Sequence, residues 1–183
     1  SIKFLDEEFG RFLEFYREHL ADDTYLVITA DHGEQFGEHG LIGHSHYLFD
    51  ETLRVPLLIT GPDLPSGTTV TDFASLIDLF PTVANLAGID VPEFADGRRL
   101  FEDEPRSHAV FEHGERDIEK FESTPHGRHL SEEQLPEFAA GRKAIRTEQY
   151  KLVVNSRGNE TLYDVTTNPE TEVHVRERAD QLR

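Results

Sequence analysis

The stretch Tyr25–Thr60 reads YLVITADHGEQFGEHGLIGHSHYLFDETLRVPLLIT. It begins and ends with short apolar, β-prone runs, Tyr25–Thr29 and Leu57–Thr60, which predict two strands. Between them, the 23 residues Thr29–Glu51 include four histidines and five carboxylates. The first run is continuously apolar, as is typical of a strand covered on both faces of an α/β layer.

The segments around this stretch predict further α/β structure. Residues 4–20 have apolar side chains at helical spacing, which predicts an amphipathic helix whose phenylalanines lie in the core. Residues 73–77 are expected to form a strand. Asp78, Pro81 and Gly88 are typical of the N-cap, the first turn and the C-terminal stop of a following helix.

The sequence changes character near residue 105. His108–Glu112 and Tyr150–Asn155 are typical of strands, and a hairpin is expected around residues 157–159. We therefore expect an α/β part with a mostly parallel sheet over residues 1–105. A small antiparallel β part should follow over residues 106–183, with a polar insertion at 114–142 and one short helix after Ser131.

Charge is the dominant global property of the chain. Its 36 Asp and Glu residues outnumber 18 Lys and Arg, giving a net charge of −18. Such a surface repels nucleic acid and anionic membranes, so no nucleic-acid partner is expected. High salt screens this self-repulsion, which favours a halophilic source. No apolar run reaches membrane-spanning length, and zero cysteines exclude a thiolate site or a cysteine nucleophile within the chain.

Asp31 and His32 stand where the first strand ends, which is where α/β sheets bind ligands. A carboxylate and an imidazole suit a divalent cation. Completion by oxygen ligands favours Ca²⁺ or Mg²⁺, whereas nitrogen ligands favour Zn²⁺. Gly33 lets the chain bend away closely. Asp31 as a helix N-cap beside a surface histidine is the alternative for the isolated dipeptide.

The segment TADHGEQFGEHGLIGHSHYLFDETLRVPLLITGP resembles the sulfatases of the alkaline-phosphatase superfamily. Residues 78–100, DLFPTVANLAGIDVPEFADGRRL, resemble that family's Asp-x-x-Pro-Thr helix and Asp-Gly turn. Residues 143–172, KAIRTEQYKLVVNSRGNETLYDVTTNPETE, resemble its terminal antiparallel sheet. The resemblance covers most of the chain except residues 114–142, and it implies a sulfatase-like α/β sandwich followed by the small antiparallel subdomain.

The resemblance also implies roles for residues of the loop. Asp31 and His32 take the positions of two ligands to one divalent cation, Ca²⁺ before Mg²⁺, Mn²⁺ or Zn²⁺. His44 takes the place of a Lys or His that contacts the sulfate. His39 is expected to support the loop, and His46 is open between a pocket role and solvent exposure.

The protonation of His44 decides how closely it can replace a lysine. An imidazole is cationic only below about pH 6.5 unless its neighbours raise its pKa. The acidic residues Asp50 and Glu51 follow closely in the sequence. We therefore expect them to be candidates for raising the pKa of His44.

One departure limits the resemblance. Sulfatases have an early Cys/Ser-x-Pro-x-Arg motif that yields a formylglycine nucleophile, together with an early Asp-Asp metal pair, and this chain has neither. It should therefore be the C-terminal part of an arylsulfatase-like enzyme, inactive without its N-terminal half, acting on a sulfate-ester small molecule or glycan. Phosphoethanolamine and glycerophosphate transferases, other phosphate-ester hydrolases and a stand-alone inactive remnant are the alternatives. Localisation is open, with the cytoplasm favoured.

Overall fold

The computed structural model describes residues 2–44, 47–124 and 127–173. The first part alternates helices and short strands: α1 (Ile2–His19), β1 (Leu26–Thr29), β2 (Gln35–Phe36), β3 (Ile42–Gly43), α2 (Asp50–Leu53), β4 (Leu57–Thr60) and α3 (Leu79–Leu86). The second part consists mainly of strands: β5 (Ala109–His113), α4 (Ile118–Glu122), α5 (Leu135–Ala139), β6 (Arg142–Arg146), β7 (Tyr150–Asn155), β8 (Glu160–Asp164) and β9 (Thr171–Val173). The predicted class, mixed α/β followed by a small antiparallel sheet, is confirmed.

Helix α1 confirms the predicted amphipathic helix, but its phenylalanines do not form a core. Phe4 and Phe15 expose 63% and 50% of their surface, whereas Tyr16 is buried. The Tyr16 hydroxyl donates to the Thr24 carbonyl oxygen at 2.8 Å, which fixes the turn into β1. Helical periodicity locates an apolar face but does not show whether a partner covers it. The predicted phenylalanine core is therefore wrong for the described residues.

Strands β1 and β4 pair antiparallel, with Leu26 opposite Thr60 and Thr29 opposite Leu57. The expectation of mostly parallel neighbours is therefore wrong for this pair. A parallel connection needs a crossover of about a dozen residues or more, usually a helix. The site loop (residues 30–56) contains only very short helices and strands, so it returns the chain to the end where β1 stopped. Both strands are only partly covered, because Leu58 is 57% exposed and Leu26 is half-buried.

Residues 73–77 do not form the predicted strand. Leu76–Asp78 form a 3₁₀ turn that leads into α3, and Ser75 is its N-cap. The Asp78 carboxylate accepts a hydrogen bond from the Ser75 amide at 2.9 Å and pairs with Arg106, so it folds back instead of capping α3. These hydrogen bonds favour a turn over an extended strand.

Strands β5 to β9 form an antiparallel sheet in sequence order. The predicted hairpin joins β7 and β8: Asn155 Oδ1 accepts hydrogen bonds from two backbone amides of the turn, and Gly158 has a φ of +84°. Glycine favours such a left-handed backbone because it has no Cβ. The side chains of Leu162 and, less expectedly, Lys151 are completely buried in this part of the fold.

The polar insertion at residues 114–142 contains more structure than predicted. It forms α4 as well as the expected helix after Ser131, which is α5. Phe121, Leu135 and Ala139 are buried together between these helices. Apolar residues that are far apart in this charged segment thus form a small core, although no short stretch of the segment is rich in apolar residues.

Candidate functional site

The candidate metal ligands are adjacent at the end of β1. The His32 amide donates to Asp31 Oδ1 at 3.0 Å, and Asp31 Oδ2 lies 3.7 Å from His32 Nε2. His32 Nδ1 lies 2.9 Å from the Gly33 carbonyl oxygen. A carbonyl only accepts, so this hydrogen bond places a proton on Nδ1 and leaves Nε2 as the nitrogen with a lone pair whenever the ring is neutral. This is the tautomer that an imidazole needs to bind a cation through Nε2.

A short hairpin, formed by β2 and β3 with two residues in each strand, brings the chain back so that His44 lies near Asp31 and His32. Gln35 lies opposite Gly43 and Phe36 opposite Ile42, and the turn between them uses positive φ at Gly37, His39 and Gly40.

The histidines on either side of the hairpin then meet. The ring of His44 stacks on the ring of His32, with their centroids 4.1 Å apart. His44 Nδ1 lies 3.4 Å from Glu34 Oε1. The structure therefore brings Asp31, His32 and His44 together, with Glu34 as a further acidic neighbour.

His39 points away from this group. Its ring stacks on Phe49 at 3.8 Å with an angle of only 4° between the planes. Its Nε2 lies 3.5 Å from Glu51 Oε2, an oxygen that is otherwise buried without a hydrogen bond among the described residues. This placement suits support of the site loop rather than contact with a ligand.

The short helix α2 contacts Gly33, the residue that follows the Asp31–His32 pair. The Gly33 amide donates to the Thr52 carbonyl oxygen at 2.9 Å. A Cβ at Gly33 would lie only 2.1 Å from the Glu51 carbonyl oxygen. Gly33 is therefore required because two backbones approach too closely for any side chain.

Two basic and two acidic side chains, the charge cluster (Asp50, Arg146, Lys151 and Glu170), connect α2 to the C-terminal sheet. Lys151 Nζ, fully buried, donates to Glu170 at 2.7 and 2.6 Å and to Asp50 at 3.1 Å. Arg146 Nε donates to Asp50 Oδ2 at 3.0 Å. Two cations and two carboxylates balance each other, which is what burial of charge requires.

The environment shifts the two carboxyl groups of the charge cluster in opposite directions. Burial alone would raise the pKa of Asp50, but hydrogen bonds from Arg146 and the charge of Lys151 lower it below its ordinary range. Burial raises the pKa of Glu170 to about 7 against the opposing effect of Lys151. Glu170 is the more deeply enclosed group, since its side chain is only 1% exposed.

Several sequence expectations change in the structure. Asp50 and Glu51 do not lie beside His44 as expected, because Asp50 joins the charge cluster and Glu51 faces His39. The acid beside His44 is Glu34. His46 lies outside the described residues. The charge cluster was missed, although a lysine within the apolar strand YKLVVN was a signal for a buried partner.

The residues present fit part of a divalent-cation site. The Asp31 carboxylate is 89% exposed, and the free Nε2 of His32 lies beside it. No group of three or more His, Asp or Glu side chains in residues 2–44, 47–124 and 127–173 could hold a metal ion. Asp31 and His32 would therefore supply two ligands of a larger set.

Among the described helices, none combines the length and apolarity needed to span a membrane.

Comparison with known proteins agrees with the geometry of the site loop. The family model named Sulfatase matches residues 1–89, which include α1 and all of the site loop. Over these residues the chain is similar to the sulfatases. The choline-sulfatase of Rhizobium meliloti is 31% identical over 178 residues, covering 92% of this chain and 30% of the relative. The chain spans less than a third of the length of the first curated relatives it matches.

Solved structures support the fold of both parts of the chain. The phosphonate monoester hydrolase of Agrobacterium radiobacter is 32% identical, with a TM-score of 0.73 over 97% of this chain and 36% of its own. A protein solved in complex with its substrate D-glucosamine-2-N,6-O-disulfate is 25% identical, with a TM-score of 0.72 over 92% of this chain and 33% of its own. The antiparallel C-terminal sheet is therefore part of the shared fold.

Proposed function

We propose that this chain supplies metal ligands and a sulfate-contacting residue to the active site of a sulfuric ester hydrolase. One observation carries the proposal: Asp31 Oδ2 and His32 Nε2 lie 3.7 Å apart after the end of β1, and the ring of His44 stacks on that of His32. The family match over residues 1–89 gives this group its chemical context.

The proposed cofactor is a divalent metal, since sulfatases generally bind one. We propose Ca²⁺, because a carboxylate completed by further oxygen ligands favours a hard cation, before Mg²⁺, Mn²⁺ or Zn²⁺. Bound between Asp31 and His32, such an ion would polarise sulfate oxygens. The hydrogen bond from His32 Nδ1 to the Gly33 carbonyl holds the imidazole so that Nε2 faces away from the backbone.

His44 is proposed to contact the sulfate or the leaving oxygen. Its ring is half exposed, so one of its nitrogens can reach a ligand while Glu34 lies beside Nδ1. A hydrogen-bond donor there would stabilise charge that develops on oxygen as the ester bond breaks. His39 is proposed as a loop support, and a pocket role for His46 stays a prediction.

The proposed substrate is a sulfate ester of a small molecule or a glycan. The name of the choline-sulfatase and the disulfated glucosamine bound to the solved relative support this class. The chain contains no cysteine, so a formylglycine nucleophile made from cysteine would come from polypeptide outside these residues, as would the remaining metal ligands. A high-salt source and a cytoplasmic location remain part of the proposal.

Phosphonate or phosphate monoester hydrolysis is the second candidate. It is favoured by the Agrobacterium radiobacter phosphonate monoester hydrolase, which matches 97% of this chain at 32% identity. Both chemistries place a tetrahedral anion beside a metal, so the described residues fit either. The alternatives of a phosphoethanolamine or glycerophosphate transferase and of an inactive remnant have no such neighbour among these three proteins.

The proposal is tested by Asp31→Ala in the natural polypeptide that carries this sequence. We expect it to abolish both Ca²⁺ binding in calorimetric titration and hydrolysis of an aryl sulfate. Asp6→Ala, at an exposed position of α1, is the matched control and should change neither. Retention of metal and activity by Asp31→Ala would refute the assignment. Faster hydrolysis of an aryl phosphonate than of the aryl sulfate would favour the second candidate.

A further inference from the structure

We propose that the charge cluster is a positioning device, through which the C-terminal sheet holds Asp31 and His32 in their metal-binding geometry. The inference rests on the metal-binding role proposed above. It assigns to four residues outside the candidate ligand set a function in the same site.

The first step is the burial of Lys151. Its side chain is completely inaccessible and extends from β7, the central strand of the C-terminal sheet. Its ammonium group has three N–H donors, and the two carboxylates of the charge cluster accept them. An apolar side chain would fill the same space without desolvating a charge. Unlike an apolar side chain, the lysine donates hydrogen bonds, and these fix the positions of the two carboxylates.

The second step is the sharing of Asp50 between two strands. Arg146 reaches it from β6 at 3.0 Å and Lys151 reaches it from β7 at 3.1 Å. Asp50 is also the first residue of α2. Two cations that approach one carboxylate from a rigid sheet therefore fix the start of this helix.

The third step leads from α2 to the candidate ligands through backbone atoms. Thr52 accepts the hydrogen bond of the Gly33 amide, and Glu51 leaves no room for a Cβ at Gly33. His32 Nδ1 in turn donates to the Gly33 carbonyl oxygen. A displacement of α2 is therefore passed to the imidazole, since no flexible side chain lies between Asp50 and Gly33.

An exposed ion pair in the same sheet provides a control. Lys143 and Glu112 are 3.2 Å apart and largely exposed, and their strands β5 and β6 belong to the same sheet. Neither residue belongs to the charge cluster. A change at Lys143 removes a lysine from the sheet while leaving the path to Gly33 intact.

The test compares three variants of the natural polypeptide: Lys151→Met, the double variant Lys151→Met with Glu170→Gln, and Lys143→Met. The double variant removes the charge of Glu170 together with Lys151, and Asp50 keeps Arg146 as its cation, so the test remains available if the single variant does not fold. Calcium affinity is measured by calorimetric titration. Amide hydrogen exchange, read by mass spectrometry, is measured for the peptide that contains Gly33.

We expect both Lys151 variants to weaken Ca²⁺ binding by about tenfold or more, as changes to residues that orient metal ligands do. Exchange at Gly33 should accelerate with them, and Lys143→Met should change neither. Parental Ca²⁺ affinity in the double variant would overturn the proposal, whether or not Gly33 exchanges faster. If Asp31→Ala also leaves Ca²⁺ binding unchanged, the metal site itself is wrong. In that case unchanged exchange at Gly33 would separately reject any positioning by the charge cluster.

Discussion

Replacement of Gly33 by alanine tests the close contact on which the site loop depends. The added Cβ would lie 2.1 Å from the Glu51 carbonyl oxygen and 3.4 Å from the Thr52 Cα. Unbonded heavy atoms prefer a separation of about 3.5 Å, so one backbone must move by more than about 1 Å. That movement breaks the 2.9 Å hydrogen bond from the Gly33 amide to Thr52.

Two costs follow from this displacement. Loss of the hydrogen bond removes about 1 kcal/mol, and strain in a packed region adds about 1–3 kcal/mol. We therefore expect the free energy of unfolding to fall by about 2–4 kcal/mol. Because a shift of about 1 Å at a functional site can cost ~100-fold, Ca²⁺ affinity should fall more steeply than stability alone explains.

The assay is urea unfolding followed by circular dichroism, together with calcium titration of the folded variant. Gly10→Ala is the matched control, because a Cβ at Gly10 on α1 meets no atom within 4 Å. It should stabilise the helix by about 0.5–1 kcal/mol and leave Ca²⁺ affinity unchanged. Stability of Gly33→Ala within about 0.5 kcal/mol of the parent, with parental Ca²⁺ affinity, would refute the reasoning.

Three further predictions concern charge. Asp78→Asn leaves Arg106 without its anion and should cost about 3 kcal/mol in urea unfolding, whereas Asp103→Asn at the surface should cost little. Burial would raise the pKa of Asp78, but hydrogen bonds from Arg106 lower it, so the stability that Asp78 contributes should be lost as the pH falls below about 4. An Asp78→Asn variant as stable as the parent at pH 7 would contradict this. Burial raises the pKa of Glu170 to about 7 despite Lys151, so the free energy of unfolding should decrease as the pH rises from about 5 to about 7. Glu170→Gln should make this decrease smaller in urea unfolding measured at several pH values. The same decrease in the variant and the parent would contradict the prediction. Raising KCl from about 0.1 M to about 2 M should raise the urea midpoint, because salt screens a net charge of −18; a lower midpoint would argue against the high-salt proposal.

Local patterns predicted several regular elements of this chain, but neither α4 nor the 3₁₀ turn at Leu76–Asp78. Strand β4 was predicted at its observed bounds, and the turn before β8 followed from its Gly and Asn residues. What the patterns did not show was the pairing of β1 with β4. Parallel and antiparallel partners can have the same apolar composition, so the pattern alone does not show the antiparallel pairing that the structure has.

In the candidate site, too, the sequence predicted some features and not others. The place of Asp31 and His32 just after β1 was predicted, because an apolar run ends there; their role as metal ligands stays a prediction. Residue spacing alone did not separate His39 from His44, because the separation depends on the positive φ at His39 and on two paired strands of two residues each. Asp50 looked like a neighbour of His44 in the sequence, yet its partners are 96 and 101 residues further along the chain.

The charge cluster is informative because cations are scarce in this chain. Only 18 Lys and Arg residues accompany 36 Asp and Glu residues, and four of the cations are lysines. One of those four lysines is nevertheless completely buried, where it cannot offset the negative charge of the surface. Burial also desolvates its ammonium group, so the contacts with Asp50 and Glu170 must outweigh that loss. A buried lysine contributes neither to solubility nor to an apolar core. The role that fits Lys151 better is to fix the position of α2 through Asp50.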